Sequence, residues 1–152
     1  RIFADIEADK YVLVDGDGTY DATSILPMLE AYAQGEVDTV NGARVSLVQS
    51  AYRRGHRFGN VLLTSLVGMI FGNKFKDILS GYRVFSRRFV KSFPALSRGF
   101  EIETELTVHA LELRMATIEV DMPYYARPEC SESKLHTFRD GGRILVSIGK
   151  LA

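Results

Sequence analysis

The chain has little of several things that would narrow its class. It contains one cysteine, Cys130, which excludes an internal disulfide framework and an ordinary multi-cysteine zinc site, and which fits a reducing compartment such as the cytoplasm. Neither charge is in excess, because 19 basic residues balance 19 acidic ones, so no nucleic-acid partner is expected. The longest apolar run, from Val61 to Gly72, falls short of the roughly 20 residues that a transmembrane helix needs.

What is present indicates a folded protein. Hydrophobic residues make up 46% of the 152 residues, enough for a core of ordinary size. No repeat or long linker divides the chain, so residues 1–152 are predicted to form one domain. The opening RIFADIEADK has neither an initiator methionine nor the features of a signal peptide, and it predicts a piece cut from a longer protein.

Short apolar runs alternate with segments of helical periodicity. The run from Tyr11 to Val14 is typical of a strand buried on both faces of a parallel sheet. Further strands are predicted at Val37–Ala43, Tyr82–Phe85 and Thr117–Val120, and helices at Ser24–Gly35, Phe58–Phe71, Ser86–Phe93 and Phe100–Arg114, with Ser24 and Ser86 as caps. Arg143–Leu151 fits either a helix or a strand. This alternation indicates an α/β fold with an open, mixed sheet, in which ligands bind beyond the carboxyl ends of the strands.

The stretch YVLVDGDGTYD places Asp15 and Asp17 directly after the first strand. Two carboxylates one residue apart in a loop can converge on Mg²⁺ or Mn²⁺, which proteins often hold through one or two carboxylates while substrate phosphates complete the shell. The alternative is an ordinary turn rich in aspartate and glycine.

Basic residues recur after successive strands or in predicted loops. They are Arg44, Arg53, Arg54, Arg57, Arg83, Arg127 and Lys134. Arginine offers a planar fork to phosphate oxygens and lysine a compact charge. Each one alone is explained by a solvated surface charge, but their recurrence favours a phosphate-rich ligand.

Several segments together carry a resemblance to a known family. In order they are VDGDGTYD, NGAR, RRGHRFGN, DILSGYRVFSRRF, FEIETEL, PYYARPECSESKL and RDGGRIL. The chain thus resembles the polyprenyl-phosphate branch of the family 2 glycosyltransferases, similar to dolichol-phosphate mannose synthases. This likeness covers nearly the whole chain.

The resemblance implies a GT-A fold, a Rossmann-like, mixed and mostly parallel sheet flanked by helices, here truncated at the N-terminus. It implies metal-dependent, inverting transfer of a sugar from a UDP- or GDP-linked donor to a polyprenyl or dolichyl phosphate. Asp15 and Asp17 would hold the metal and the donor diphosphate, and Arg44, Arg127 and Lys134 would face phosphates, with Ser133 as the partner of Lys134. Arg83 and Asp77 belong to the D-x-x-S-G-[FY]-R segment, near the acceptor.

The acceptor decides whether a base is needed. A phosphate monoester is already largely anionic at neutral pH, whereas a sugar hydroxyl must lose its proton to a carboxylate, for which Asp77 and Glu103 are the predicted catalytic residues. The same residues would also suit an inactive glycosyltransferase-like binding fragment, or a nucleotidyltransferase with the same metal and diphosphate.

Two further expectations concern what surrounds the site. The apolar helix Phe58–Phe71 follows a basic cluster, so it either docks peripherally on the cytoplasmic face of a membrane or forms a buried core helix. The family's N-terminal, nucleoside-gripping segment does not precede Arg1. The chain is therefore expected to carry the metal and acceptor side, to be inactive alone, and to complete its sheet as a homo-oligomer.

Overall fold

A computed structural model describes residues 2–46, 54–72, 75–95 and 101–126. The helices are α1 (Ile2–Asp5), α2 (Ile25–Ala33, preceded by a 3₁₀ turn at Ala22–Ser24), α3 (Arg54–Phe71), α4 (Arg87–Ser92) and α5 (Glu101–Glu112). The strands are β1 (Lys10–Val14), β2 (Thr39–Ser46), β3 (Tyr82–Ser86) and β4 (Thr117–Tyr124). Every strand and helix predicted within these residues is present, and Arg143–Leu151 lies outside them.

The four strands form one mixed sheet in the order β1-β3-β2-β4. Strand β3 runs antiparallel to both β1 and β2, while β2 and β4 are parallel. Three of the four strands, β1, β2 and β4, therefore run in the same direction, and the expectation of a mixed, mostly parallel sheet is confirmed for the described strands. Apolar runs indicate which segments are buried but not the direction in which a strand runs. The sequence therefore did not show that β3 is the antiparallel strand.

Helices cover both faces of the sheet. Side chains of β3 alternate between them, because successive residues of a strand point to opposite faces. Val84 packs with Met28 of α2 on one face, and Phe85 packs with Phe89 and Leu106 of α4 and α5 on the other. All five residues of β3 are buried. The expectation of a sheet flanked by helices is confirmed.

Strand β1 lies at one end of the described sheet. Tyr11 is buried, but Val12 and Val14 are 48% and 49% exposed. The prediction that both faces of this strand are buried is wrong for the described part of the chain. Its burial alternates because successive side chains point to opposite faces, and only Tyr11 and Leu13 pack with the cluster that contains Phe85.

Several boundaries differ from the predictions. Strand β2 continues to Ser46, so Arg44 lies within the strand and not after it. Strand β4 continues to Tyr124 and includes Pro123, which an end strand tolerates because its missing N–H can face away from the ladder. Helix α3 begins at Arg54, before the predicted Phe58.

The two predicted caps have different outcomes. Ser86 caps α4 as expected, since its hydroxyl accepts a hydrogen bond from the Phe89 amide at 3.1 Å. Ser24 occupies the N-cap position of α2 as predicted, but its side chain makes no cap hydrogen bond. Asp21 begins the turn instead, because its carboxylate accepts from the Thr23 amide at 2.8 Å. Because the 3₁₀ turn precedes α2, the side-chain cap lies at the start of that turn and not at the start of the helix.

Helix α3 is amphipathic. Leu63 and Val67 are buried and pack with Ile78, while Val61 and Met69 are 58% and 76% exposed. Among the described helices, none has both the length and the apolar character to span a membrane.

Candidate functional site

The predicted site residues gather at one edge of the sheet. The ends of β1, β2 and β4 meet the start of β3 there, because β3 runs opposite to its two neighbours. Asp15 follows β1, Arg44 lies near the end of β2, and Asp77 and Gly81 precede β3. The structure thus places the predicted carboxylates beyond the carboxyl ends of strands, where open α/β sheets bind ligands.

Asp15 rests on the backbone of Gly81. Its amide donates a hydrogen bond to the Gly81 carbonyl at 3.1 Å, which continues the pairing of β1 with β3. A Cβ atom added to Gly81 would overlap the Asp15 carboxyl group. Asp15 is exposed, so its carboxylate lies at the surface, in the space that a side chain at position 81 would enter.

Asp17 is oriented by its own loop. One of its carboxylate oxygens, Oδ1, accepts from the Thr19 amide at 3.1 Å and from the Thr19 hydroxyl at 2.5 Å. Gly18, between them, has a φ of 75°, which glycine adopts without strain. The chemistry of these two carboxylates suits a hard divalent cation. No group of three or more His, Cys, Asp or Glu side chains suited to a metal occurs within the described residues.

Arg44 and Asp77 form a two-point ion pair. The guanidinium of Arg44 donates to the two oxygens of Asp77, at 2.5 Å from Nε and 2.8 Å from Nη2. The backbone amides of Leu79 and Arg44 donate to the same carboxylate, at 3.2 Å and 3.3 Å. The Arg44 guanidinium also lies 5.3 Å from the centre of the Tyr124 ring. Both sequence-predicted residues are therefore at the site and bonded to each other.

Arg83 lies in the interior, 3% exposed. Its guanidinium donates to the Ser80 carbonyl at 2.9 Å, the Ile78 carbonyl at 2.6 Å and the Thr107 hydroxyl at 2.9 Å. These bonds tie the segment before β3 to α5. The contact with a ligand phosphate that the sequence predicted for Arg83 stays a prediction, since all of these partners are protein atoms.

Glu103 faces the same region from α5. Burial is the main reason that the pKa of its carboxyl group is raised to about 7. The charge of Asp15 acts in the same direction, while a backbone hydrogen bond and the charges of Arg83 and Arg44 oppose the shift. Its Oε2 atom is buried and has no hydrogen-bond partner among the described residues. A carboxyl group of this kind can exchange a proton near neutral pH.

Sequence reasoning missed Tyr20 as a site residue. Its hydroxyl oxygen accepts a hydrogen bond from the Gly81 amide at 2.9 Å and lies 3.3 Å from the Ser80 hydroxyl. Burial raises the pKa of Tyr20, so the group stays protonated. The only signal was its place at the end of the string VDGDGTYD.

Asn41 and Glu119 were missed as well. The Asn41 amide donates to the Asp77 carbonyl and to the Glu119 carboxylate, both at 2.8 Å. Glu119 also accepts from the Lys76 amide at 2.7 Å. These bonds fix the backbone next to Asp77, and they depend on the register of β2 with β4, for which the sequence held no signal.

Several predicted residues lie outside the described part of the chain. They are Arg53, Arg127, Ser133 and Lys134. Arg54 and Arg57 belong to α3, but the placement of their side chains is not described. The predicted phosphate contacts of this basic group stay predictions.

Comparison with known proteins identifies the fold. No protein-family model matches the chain. An uncharacterised protein of Shigella flexneri is 69% identical over 74 residues, which cover 49% of this chain and 45% of that protein. Glycosyltransferase AglJ of Haloferax volcanii is 35% identical over 147 residues, 97% of this chain and 48% of AglJ.

A solved structure extends the likeness to three dimensions. Glucosyl-3-phosphoglycerate synthase from Mycobacterium tuberculosis, in complex with Mn²⁺, UDP and glucosyl-3-phosphoglycerate, superimposes with a TM-score of 0.72 at 17% identity. The match covers 96% of this chain and 50% of that one. The chain therefore has the GT-A fold, as the resemblance implied, and it spans about half the length of the relatives that it matches.

Proposed function

We propose that this chain belongs to a metal-dependent, inverting hexosyltransferase, because it has the GT-A fold and is similar in sequence to a named glycosyltransferase. The donor is a UDP- or GDP-linked sugar and the acceptor is a polyprenyl phosphate. Residues 1–152 form the metal and acceptor side of its catalytic domain. The observation that carries this proposal is the pair of carboxylates, Asp15 and Asp17, at the sheet edge where the strands end.

Asp15 and Asp17 hold Mg²⁺ or Mn²⁺ in this proposal. The metal supplies positive charge that stabilises the nucleoside diphosphate as it leaves. Two carboxylates are a donor set that such ions commonly accept from protein when a diphosphate completes the shell. The Mycobacterium tuberculosis enzyme has been solved with Mn²⁺ or Mg²⁺ together with UDP, which supports a divalent ion here.

The basic residues take different roles. Arg127 and Lys134, with Ser133, contact donor or acceptor phosphates. Arg44 contributes positive charge at the site while bonded to Asp77, which orients it. Arg83 supports the site indirectly, because its guanidinium holds the backbone carbonyls of Ile78 and Ser80 in place.

A polyprenyl phosphate acceptor needs no strong base, because its phosphate oxygen is already anionic near neutral pH. A second candidate, a sugar-hydroxyl acceptor, is favoured by one observation. Glu103 keeps a buried carboxylate oxygen without a hydrogen-bond partner among the described residues, and its pKa is about 7. Glu103 rather than Asp77 would then take the proton, since both oxygens of Asp77 accept from Arg44.

The donor site is tested by calorimetric titration of UDP-glucose and GDP-mannose into the full chain, with and without Mn²⁺. We expect binding of one nucleotide that requires Mn²⁺ and disappears in Asp17→Ala. Glu36→Ala, which removes an exposed carboxylate from the loop after α2, should bind as the parent does. Binding that is independent of Mn²⁺, or that survives in Asp17→Ala, would contradict the metal site.

The acceptor is tested with Glu103→Gln in the complete catalytic domain, of which residues 1–152 are the proposed metal and acceptor side. If the acceptor is a polyprenyl phosphate, transfer to it should change by less than about threefold, because no base is used. Transfer to a sugar hydroxyl should instead fall by about 10² or more, the usual contribution of a general base. The two acceptor classes thus give opposite results in the same variant.

We also propose that α3 lies on the cytoplasmic surface of a membrane, near the lipid acceptor. The exposed side chains of Val61, Met69 and Ile70 support this, together with the basic sequence at the start of the helix. Sedimentation with anionic liposomes at low salt should carry the protein down, and Met69→Glu should weaken this. If the parent protein does not sediment with the liposomes, the proposed membrane contact of α3 is wrong.

A further inference from the structure

We propose that Tyr20 is a positioning residue for the metal-binding carboxylates, acting as a latch between the loop after β1 and the segment before β3. The inference rests on the proposed function, because it assigns Tyr20 to the support of Asp15. Its basis is a chain of contacts among Tyr20, Ser80, Gly81 and Asp15.

The latch has two ends at Gly81. The Gly81 amide donates to the Tyr20 hydroxyl oxygen at 2.9 Å, and the Gly81 carbonyl accepts from the Asp15 amide at 3.1 Å. The peptide groups on both sides of Gly81 are thus tied to the Asp15–Tyr20 loop. The Asp15 carboxyl group sits where a Cβ atom of residue 81 would be. Because the Asp15 amide is bonded to the Gly81 carbonyl, a shift of Gly81 displaces Asp15 as well.

Tyr20 is itself held in place by aromatic neighbours. Its ring meets Tyr82 edge to face with centroids 5.5 Å apart, and Tyr124 in the same way at 5.3 Å. Its backbone forms an isolated bridge with Tyr124, and the Tyr125 amide donates to the Thr19 carbonyl at 2.9 Å. These contacts hold the Tyr20 ring in one orientation and so fix the position of its hydroxyl group. A fixed position is what a residue that supports a metal ligand needs.

Tyr20→Phe removes only the hydroxyl group and leaves the Gly81 amide without this acceptor. Tyr32→Phe is the matched control, since Tyr32 is also half-buried but lies on α2, where its ring faces the Lys10 ammonium at 5.2 Å. Mn²⁺ is titrated calorimetrically into the full chain saturated with UDP or GDP, whichever the parent binds. We expect about tenfold weaker Mn²⁺ binding in Tyr20→Phe, equivalent to about 1.4 kcal/mol, and less than a twofold change in the control.

A second readout needs no metal. Hydrogen exchange of the Gly81 amide should be faster in Tyr20→Phe than in the parent, and unchanged in Tyr32→Phe. A tyrosine that only supports stability would lower the unfolding midpoint and leave the Mn²⁺ constant, measured well below that midpoint, as in the parent. Unchanged Mn²⁺ affinity in a folded Tyr20→Phe would therefore overturn the proposal.

Gly81→Ala tests the same path from its other end. It keeps the Tyr20 hydroxyl but forces the Asp15 carboxyl group aside, and Mn²⁺ binding should weaken at least as much as in Tyr20→Phe. Parental affinity in Gly81→Ala would also overturn the proposal, even if Tyr20→Phe failed to fold. A parent chain that binds no Mn²⁺ with either nucleotide would refute the proposed function instead, and Gly81 exchange would still test the latch.

Discussion

The guanidinium of Arg44 and the carboxylate of Asp77 meet at two points, 2.5 Å and 2.8 Å apart, with 14% and 4% of their side chains exposed. A buried pair of this kind is a weak source of net stability, but removing one partner leaves the other charge uncompensated. We expect Asp77→Ala to lower the free energy of unfolding by about 3 kcal/mol, as measured by urea denaturation.

The chain offers a matched control for that prediction. Lys76 and Asp121 form an ion pair at 2.7 Å with 64% and 54% of their side chains exposed. Asp121→Ala should cost less than about 1 kcal/mol, because water replaces the lost partner. Similar costs for the two variants would show that burial does not set the strength of the Arg44–Asp77 pair.

Arg83→Lys should destabilise the protein although it keeps the charge. A lysine ammonium cannot reproduce the fork by which Arg83 reaches two carbonyls and the Thr107 hydroxyl, so buried acceptors lose their donors. We expect a loss of about 2–4 kcal/mol in the free energy of unfolding. Arg87→Lys, at an exposed position paired with Glu7, should change it by less than about 0.5 kcal/mol, and an equal effect at both positions would refute the bracing role of Arg83.

Glu103→Gln should change how stability depends on pH. Burial raises the pKa of Glu103 from 4.5 to about 7, so the folded state holds more protons than the unfolded state between these values. The free energy of unfolding must therefore fall as the pH rises through this window. The glutamine variant lacks this loss, so it should be more stable than the parent at pH 8, by up to about 3 kcal/mol, and nearly equal to it at pH 4.

Chemical denaturation at a series of pH values measures this difference. Glu112→Gln, an exposed change on the same helix, is the control and should follow the parent at every pH. If the curves for Glu103→Gln and the parent run parallel from pH 4 to pH 8, the carboxyl group of Glu103 is not the group that titrates.

Asp38 should show the opposite dependence. Burial opposes its ionisation, but hydrogen bonds from Arg88, Ser86 and the Ala116 amide outweigh burial and lower the pKa of Asp38. Its contribution is complete above the ordinary aspartate pKa of 3.8 and is lost as the pH falls through the lowered value. Asp38→Asn should therefore be less stable than the parent by about 1–3 kcal/mol at pH 7, with a gap that narrows in acid.

Acid titration of the folded fraction by circular dichroism measures that gap. Asp9→Asn, an exposed aspartate before β1, should track the parent throughout. A gap between Asp38→Asn and the parent that stays constant from pH 7 to pH 2 would contradict the assignment.

Much of the fold was predictable because its signals are local. The helical periodicity of α2, α3 and α5 and the apolar runs of the strands report burial within a few residues of each position. Strand direction is not local, and the antiparallel course of β3 was missed for that reason. The exposure of Val12 and Val14 was missed too, since an apolar run does not say which neighbours cover it.

The sequence singled out several residues of the candidate site, but it did not predict the contacts among them. Asp15, Asp17, Arg44, Asp77 and Glu103 all stood out in the sequence, yet nothing in it paired Arg44 with Asp77 or set Gly81 beneath Asp15. Those contacts follow from the sheet order. The pairing of Asp77 with Arg44 and the raised pKa of Glu103 follow from hydrogen bonding and burial, which single positions in a sequence do not reveal.

The order of the strands has a consequence for folding kinetics. No described strand pairs with another across a short hairpin, and even the most local pairing, that of Asn41 with Arg83, encloses the whole of α3. Such pairings require long loops to close before any ladder bond is gained, which slows folding relative to helical proteins of similar size. The bond from Asp15 to Gly81 continues the β1–β3 ladder, so this part of the site can form only after the long loop between those two strands has closed.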